Sequence, residues 1–156
     1  MKAAGTRVIL TAPGEPADAI PGLTQLEQIP EVGDWIEYSN VGKSVIVVRT
    51  ESGIKAFNNA CRHRGVPFAG GVPLDRDYPT AFGNCSKKGF VCPFHGWSWN
   101  MNGENTRVYG KHLLSERQVD PDDVNLVSCG VDTWGGCVWI NHDPDAPSLR
   151  ESLGQV

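Results

Sequence analysis

The sequence carries two short pairings of cysteine with histidine, Cys61-Arg62-His63 and Cys92-Pro93-Phe94-His95. Two thiolates and two imidazoles make four metal donors, and their spacing constrains the metal. Structural zinc sites of this composition usually pair like with like, as C-x2–4-C followed by H-x3–5-H. Here each loop brings one sulfur and one nitrogen. A binuclear iron–sulfur cluster accounts better for the mixed pairs, because each loop then reaches across two irons. One iron receives both thiolates and the other both imidazoles. Charge indicates the use. Two ferric ions, two sulfides and two thiolates sum to zero, whereas four thiolates leave a dianion. The neutral cluster accepts an electron more readily, at roughly −150 to +300 mV against about −400 mV. The outward ring edges of His63 and His95 offer that electron an exit, which suits one-electron transfer and not acid–base catalysis. A structural zinc module is the alternative from a different class.

The elements that must position these loops read as mostly β. Gly65 and Gly96 follow the two histidines closely and permit tight turns in which backbone N–H groups approach sulfur, and Pro93 stiffens the second loop. Residues 1–28 read as an irregular, proline-containing leader. From Gly33 onward the texture changes: Trp35–Tyr38, Ser44–Thr50 and Ile54–Asn58 read as strands, and the run Val45–Val48 as a strand covered on both faces. Residues 72–89 read as a long excursion. Trp97-Ser98-Trp99 turns over at Asn102-Gly103, and 126–134 with 137–141 form a hairpin about Gly135-Gly136. Asp120 with Pro121 starts a short helix, and Ser148 with Glu151 forms a capping box, with Gly154 as a stop.

Composition excludes several functions. In 156 residues, 14 Lys and Arg stand against 18 Asp and Glu, a net charge of −4 that lacks the basic footprint of nucleic-acid binding. The longest aliphatic run, Val45–Val48, is far short of the roughly 20 residues of a membrane span. Neither a signal peptide nor an anchor is legible, so the expected compartment is the cytoplasm. Five cysteines, an odd count, argue against a disulfide framework there.

The strings CRHRG and CPFHGW, with IPEVGDWIEY, IKAFNNACRHRG, GFVCPFHGWSWNMNG and VDTWGGCVWINHDPDAPSLRESLG around them, resemble the Rieske domain of Rieske non-haem iron oxygenases. The likeness is to the aromatic-ring-hydroxylating α-subunit type. It runs from residue 29 to 156 and implies a Rieske-type fold: antiparallel sheets in a β-sandwich, with a cluster-binding subdomain made of two loops. It also implies one [2Fe–2S] cluster, with Cys61 and Cys92 on one iron and His63 and His95 on the other. A reductase or ferredoxin would donate electrons, and a mononuclear-iron oxygenase catalytic domain would accept them, with a trimer in the full-length context. The chain is an oxidoreductase component by this likeness. The expectation is that it lacks the catalytic mononuclear-iron domain, and so binds a cluster without oxygenating a substrate.

Other members of the wider group fit less well. Respiratory Rieske proteins carry a disulfide and a serine where this chain has Val66, Phe94 and Trp97. Their absence places the expected potential toward the low end of the range. A stand-alone Rieske ferredoxin serving a separate oxygenase is the nearer alternative. Between His63 and Cys92 lie 28 residues, more than the family usually has, and the excess falls in the excursion.

The remaining reactive residues read as structural. His112 and His142 lack the pairing with a carboxylate that a second iron site needs. Cys85, seven residues before Cys92, reads as a loop or packing residue, since both iron shells are already filled. Cys129 and Cys137, on either side of the hairpin turn, stay reduced. Trp97 and Trp99 pack on the core, and Arg62 and Arg64 are solvated charges or docking contacts.

Overall fold

The computed structural model describes residues 7–10, 26–40, 43–69, 82–110 and 120–153. His112, Gly154 and most of the excursion lie outside the described residues. The framework starts from β3 (Lys43–Thr50), whose Val45, Ile46, Val47 and Val48 are all buried. β-branched side chains suit a pleated strand, and alternation sends Val45 and Val47 to one face and Ile46 and Val48 to the other. β2 (Asp34–Asn40) and β4 (Gly53–Asn58) flank it antiparallel, with Trp35 opposite Val48 and Val48 opposite Lys55.

The sheet grows on both sides. β5 (Phe82–Asn84) pairs with β2, while β9 (Ser128–Trp134) joins β4 through Ala56↔Cys129 and turns back into β10 (Cys137–Asn141). β1 (Arg7–Leu10) lies antiparallel on β10, giving the order β1-β10-β9-β4-β3-β2-β5. Val138 and Ile140 of β10 share one core with Ile36 and Tyr38 of β2, although three strands lie between them in that order. The sheet therefore folds over on itself in sandwich fashion.

A second sheet packs on its other face: β6 (Phe90–Val91), β7 (Ser98–Trp99) and β8 (Asn105–Arg107). Phe57, Phe68, Phe90, Trp99 and Leu126 form the core between them, together with Cys61, Cys85 and Cys92. The architecture is mostly β with antiparallel sheets. Two short helices complete it, α1 (Pro121–Val124) and α2 (Leu149–Leu153). Asp120 caps the first through Asp122 N–H (3.0 Å), and Ser148 with Glu151 forms the capping box of the second. Those hydrogen bonds hold the exposed Glu151 carboxyl below its usual range.

Two strands depart from the sequence reading. Arg7–Leu10 lies in what reads as an irregular leader, and Phe82–Asn84 in the excursion. Both are edge strands, whose partners are remote in sequence, so local periodicity is weak there.

Candidate metal centre

The first Cys/His loop follows β4 of the large sheet and the second joins β6 to β7, and both close in the same way. In the first, Cys61 N donates to Val66 O (2.9 Å) and Gly65 N to Cys61 O (2.7 Å). In the second, Cys92 N donates to Trp97 O (2.8 Å) and Gly96 N to Cys92 O (3.0 Å). Gly65 and Gly96 hold φ of 71° and 68°, a left-handed conformation that costs other residues about 1–2 kcal/mol. The sequence thus sets two matched turns, each presenting a cysteine at its root and a histidine near its tip.

The turns sort the four donors by type. Cys61 and Cys92 are buried at 4% and 2% exposure in one core, and the Cys92 thiol acts on that of Cys61. His63 is exposed and His95 half-buried, with Nδ1 facing Nδ1 at 3.1 Å and ring centroids 4.8 Å apart. Two donors each about 2.0–2.1 Å from one metal ion lie roughly 3 Å apart, so the paired nitrogens fit a shared ion. Among the described residues no group of three or more His, Cys, Asp or Glu side chains is placed to hold a single metal ion. Two sulfurs on one side and two nitrogens on the other suit a binuclear cluster, one pair to each metal ion.

Electrostatics agree with that use. Burial pushes the Cys61 thiol above its ordinary range, and the neighbouring Cys92 thiol adds to the effect. The backbone N–H groups of His63 and Arg64 point at the Cys61 sulfur and pull the other way. Such N–H donors stabilise a metal-bound thiolate, as outer-shell hydrogen bonds do generally. His63 is held below its usual range by desolvation first, then by His95 and Arg64. These influences favour its neutral form, which offers a lone pair.

Trp97 and Trp99 pack on the core as expected, but several contacts around the pairs escaped sequence reasoning. Arg62 is not a solvated docking charge: its Nε donates to Asp123 O (3.1 Å) and its terminal nitrogen to Asp122 O (3.2 Å). Trp99, fully buried, donates from Nε1 to Val124 O at 2.7 Å. The last three carbonyls of α1 thus brace the first loop through Arg62 and the second through the strand that leaves it. Trp97 stacks on His63 across the loops, with centroids 5.2 Å apart and planes 12° from parallel. Phe94 lies 4.1 Å from the His95 ring and is 57% exposed.

Cys85 roots a third turn of the same kind. Gly89 N donates to Cys85 O (2.8 Å), and Gly89 has φ of 65°. The signal was available, since all three turns share the spacing C-x3-G. This one offers Lys87 and Lys88 where the others carry histidine, and burial pushes the Cys85 thiol to about 11. It is a packing residue. Cys129 faces the core, whereas Cys137 sits opposite Trp134 on the outer side of the hairpin, so the two do not meet. His142 is half-buried, well along the chain from the four donors, and burial followed by Lys43 lowers its pKa. A cavity of about 210 Å³ between β9, β10 and α2 is lined by none of the four candidate ligands. Among the described residues no helix is long and apolar enough to cross a membrane.

Known proteins share this arrangement of strands. A family model of the Rieske [2Fe-2S] domain matches residues 23–115. The large oxygenase component of the naphthalene 1,2-dioxygenase system of Pseudomonas aeruginosa is 34% identical over 136 residues, covering 86% of this chain and 28% of that protein. The biphenyl 2,3-dioxygenase subunit alpha of Rhodococcus jostii (strain RHA1) is 33% identical over 134 residues, covering 83% of this chain and 26% of that one. The crystal structure of naphthalene 1,2-dioxygenase from Rhodococcus sp. bound to indole superposes with a TM-score of 0.68 at 31% identity. That match covers 85% of this chain and 28% of the other. The chain spans less than a third of the length of these relatives.

Proposed function

The chain belongs to the Rieske [2Fe-2S] domain family, and on that premise we propose that it serves a ring-hydroxylating oxygenase as its one-electron carrier. Cys61 and Cys92 would hold one iron of the cluster and His63 and His95 the other. The observation that carries this reading is the sorting of donors, with buried thiols paired on one side and imidazole Nδ1 atoms paired at 3.1 Å on the other. When bound, the cluster takes up and releases a single electron, at a potential raised by its two neutral imidazole donors.

The chain's own residues divide the work. Phe57, Phe68, Phe90, Trp99 and Leu126 bury the thiol pair and exclude water from it. The N–H groups of His63 and Arg64 stabilise the Cys61 thiolate. Trp97 stacks on one imidazole and Phe94 lies against the other, so the rings are oriented while the exposed His63 edge remains open to a partner. A reductase or ferredoxin supplies electrons at that edge, and a mononuclear-iron oxygenase site receives them. The naming of one relative as the large oxygenase component of a dioxygenase system, and of another as a dioxygenase subunit alpha, supports this reading.

Iron and acid-labile sulfide analysis of the purified chain, with an EPR spectrum after one-electron reduction, tests the reading. Equal amounts of iron and sulfide with a paramagnetic reduced state are expected, and Cys61→Ser and His95→Ala each abolish them. A colourless protein with bound zinc and no sulfide would overturn it.

A further inference from the structure

Asn59, just ahead of the first cysteine turn, is 4% exposed and uses its whole side chain inside the protein. Its Oδ1 accepts from Phe68 N (3.0 Å) and Ala69 N (3.1 Å), while Nδ2 donates to Ala69 O (2.8 Å) and Ser44 Oγ (2.9 Å). These bonds tie the far end of the loop that carries His63 back to β3. Shape alone does not orient such an amide, because its oxygen and nitrogen ends are nearly the same size.

The loop's own N–H groups and the Ala69 carbonyl do that, and what holds the oriented amide to β3 lies one strand further away. The Ser44 hydroxyl has a single proton, and it donates that proton to Glu37 Oε1, which also accepts from Ser39. An ionised carboxylate only accepts, so Ser44 Oγ is left as an acceptor toward Asn59. Ser44 thus accepts from Nδ2 in the orientation that the loop's two N–H groups and the Ala69 carbonyl set. Without Glu37 the hydroxyl can turn its proton toward Nδ2, donor against donor, and the tie between the loop and β3 weakens. The second loop closes through Cys92 N to Trp97 O and Gly96 N to Cys92 O, and among the described residues it shares no hydrogen bond with Asn59.

We infer that Glu37 and Ser44 are positioning residues that act through Asn59 to fix the loop 61–69, and with it the ring of His63. The inference rests on His63 being a cluster ligand, as proposed above. Its signature is asymmetry: the two imidazoles respond unequally.

The test uses the cluster-loaded full chain, reduced, and reads nitrogen hyperfine couplings by pulsed EPR alongside cluster loss to a chelator. In Ser44→Ala and Glu37→Ala, one of the two strong nitrogen couplings shifts or broadens and the other stays. Cluster loss becomes about fivefold faster, the factor that one net hydrogen bond represents. Ser44→Thr and Glu37→Gln keep a hydroxyl and an acceptor oxygen and restore both readouts. Unchanged couplings, equal change in both, or Gln behaving as Ala would overturn the inference. If Ser44→Ala does not fold, the Glu37 pair carries the same test from the half-buried end of the chain. A wild-type protein with iron and sulfide but without two strong nitrogen couplings would sink the ligand assignment itself, and this inference with it.

Discussion

Replacing Trp99 by Phe removes one hydrogen bond at the point where α1 meets the cluster-loop sheet. The ring continues to pack near Phe68, whose centroid is 5.1 Å from that of Trp99. Val124 O, in a residue 8% exposed, loses the donor 2.7 Å away. An orphaned buried carbonyl costs about 1–3 kcal/mol. The missing part of the indole leaves about 40 Å³, which at roughly 24 cal/mol per Å³ adds about 1 kcal/mol. The sum, about 2–4 kcal/mol, corresponds to a melting point lower by roughly 5–15 °C for a chain of this size. Circular dichroism melts at matched cluster loading measure it, since any bound group shifts the midpoint. Arg62→Ala removes donors from the two preceding carbonyls, so the double variant should depart from additivity by at least about 0.5 kcal/mol. A drop under about 2 °C, or strict additivity, would show that α1 does not brace both loops.

Three further outcomes are expected. In Gly89→Ala the new Cβ would stand 2.0 Å from Trp99 O, whereas in Gly65→Ala nothing lies within 4 Å; both residues have positive φ. The first should cost well over about 3 kcal/mol and the second only the backbone term of about 1–2 kcal/mol, and equal denaturation midpoints would contradict the packing described. Cys85→Ala should retain the full iron and sulfide content with a modest loss of stability, because that thiol serves packing alone; loss of iron on replacement would make it a ligand. His142, held below its usual pKa by burial and Lys43, contributes stability that is whole above its unfolded value, about 6.5. That stability declines as pH falls through the lower folded value. His142→Gln should flatten this part of the stability–pH curve, and an unchanged slope in urea titrations between pH 7 and 5 would refute the assignment.

What was legible in the sequence was short-range. The Val45–Val48 run states its own burial, since alternating β-branched residues with no polar face fit only a strand covered twice. The donor pairs and their glycines were equally local, within five residues each. What escaped depends on partners far away in the chain. Val8-Ile9-Leu10 is too short to announce a strand and becomes one by lying against Val138–Ile140. Phe82–Asn84 is held at the edge by β2, where Asn84 Nδ2 reaches Asp34 Oδ1 at 2.8 Å and, as the largest influence, draws that carboxyl below its usual range. Arg62 looked like any exposed cation until two carbonyls 60 residues onward were found at its tip.

The bracing of both turns by residues 122–124 also sets an order of events during synthesis. A chain emerging from the ribosome N-terminus first has all four candidate ligands exposed once residue 95 is out. Their matched turns can close by then, being local. The struts from Arg62 and Trp99 have nothing to grip until Val124 follows. For the length of that delay the thiols stand in a half-built wall, and whatever delivers iron and sulfide works best if it waits for the short helix to arrive.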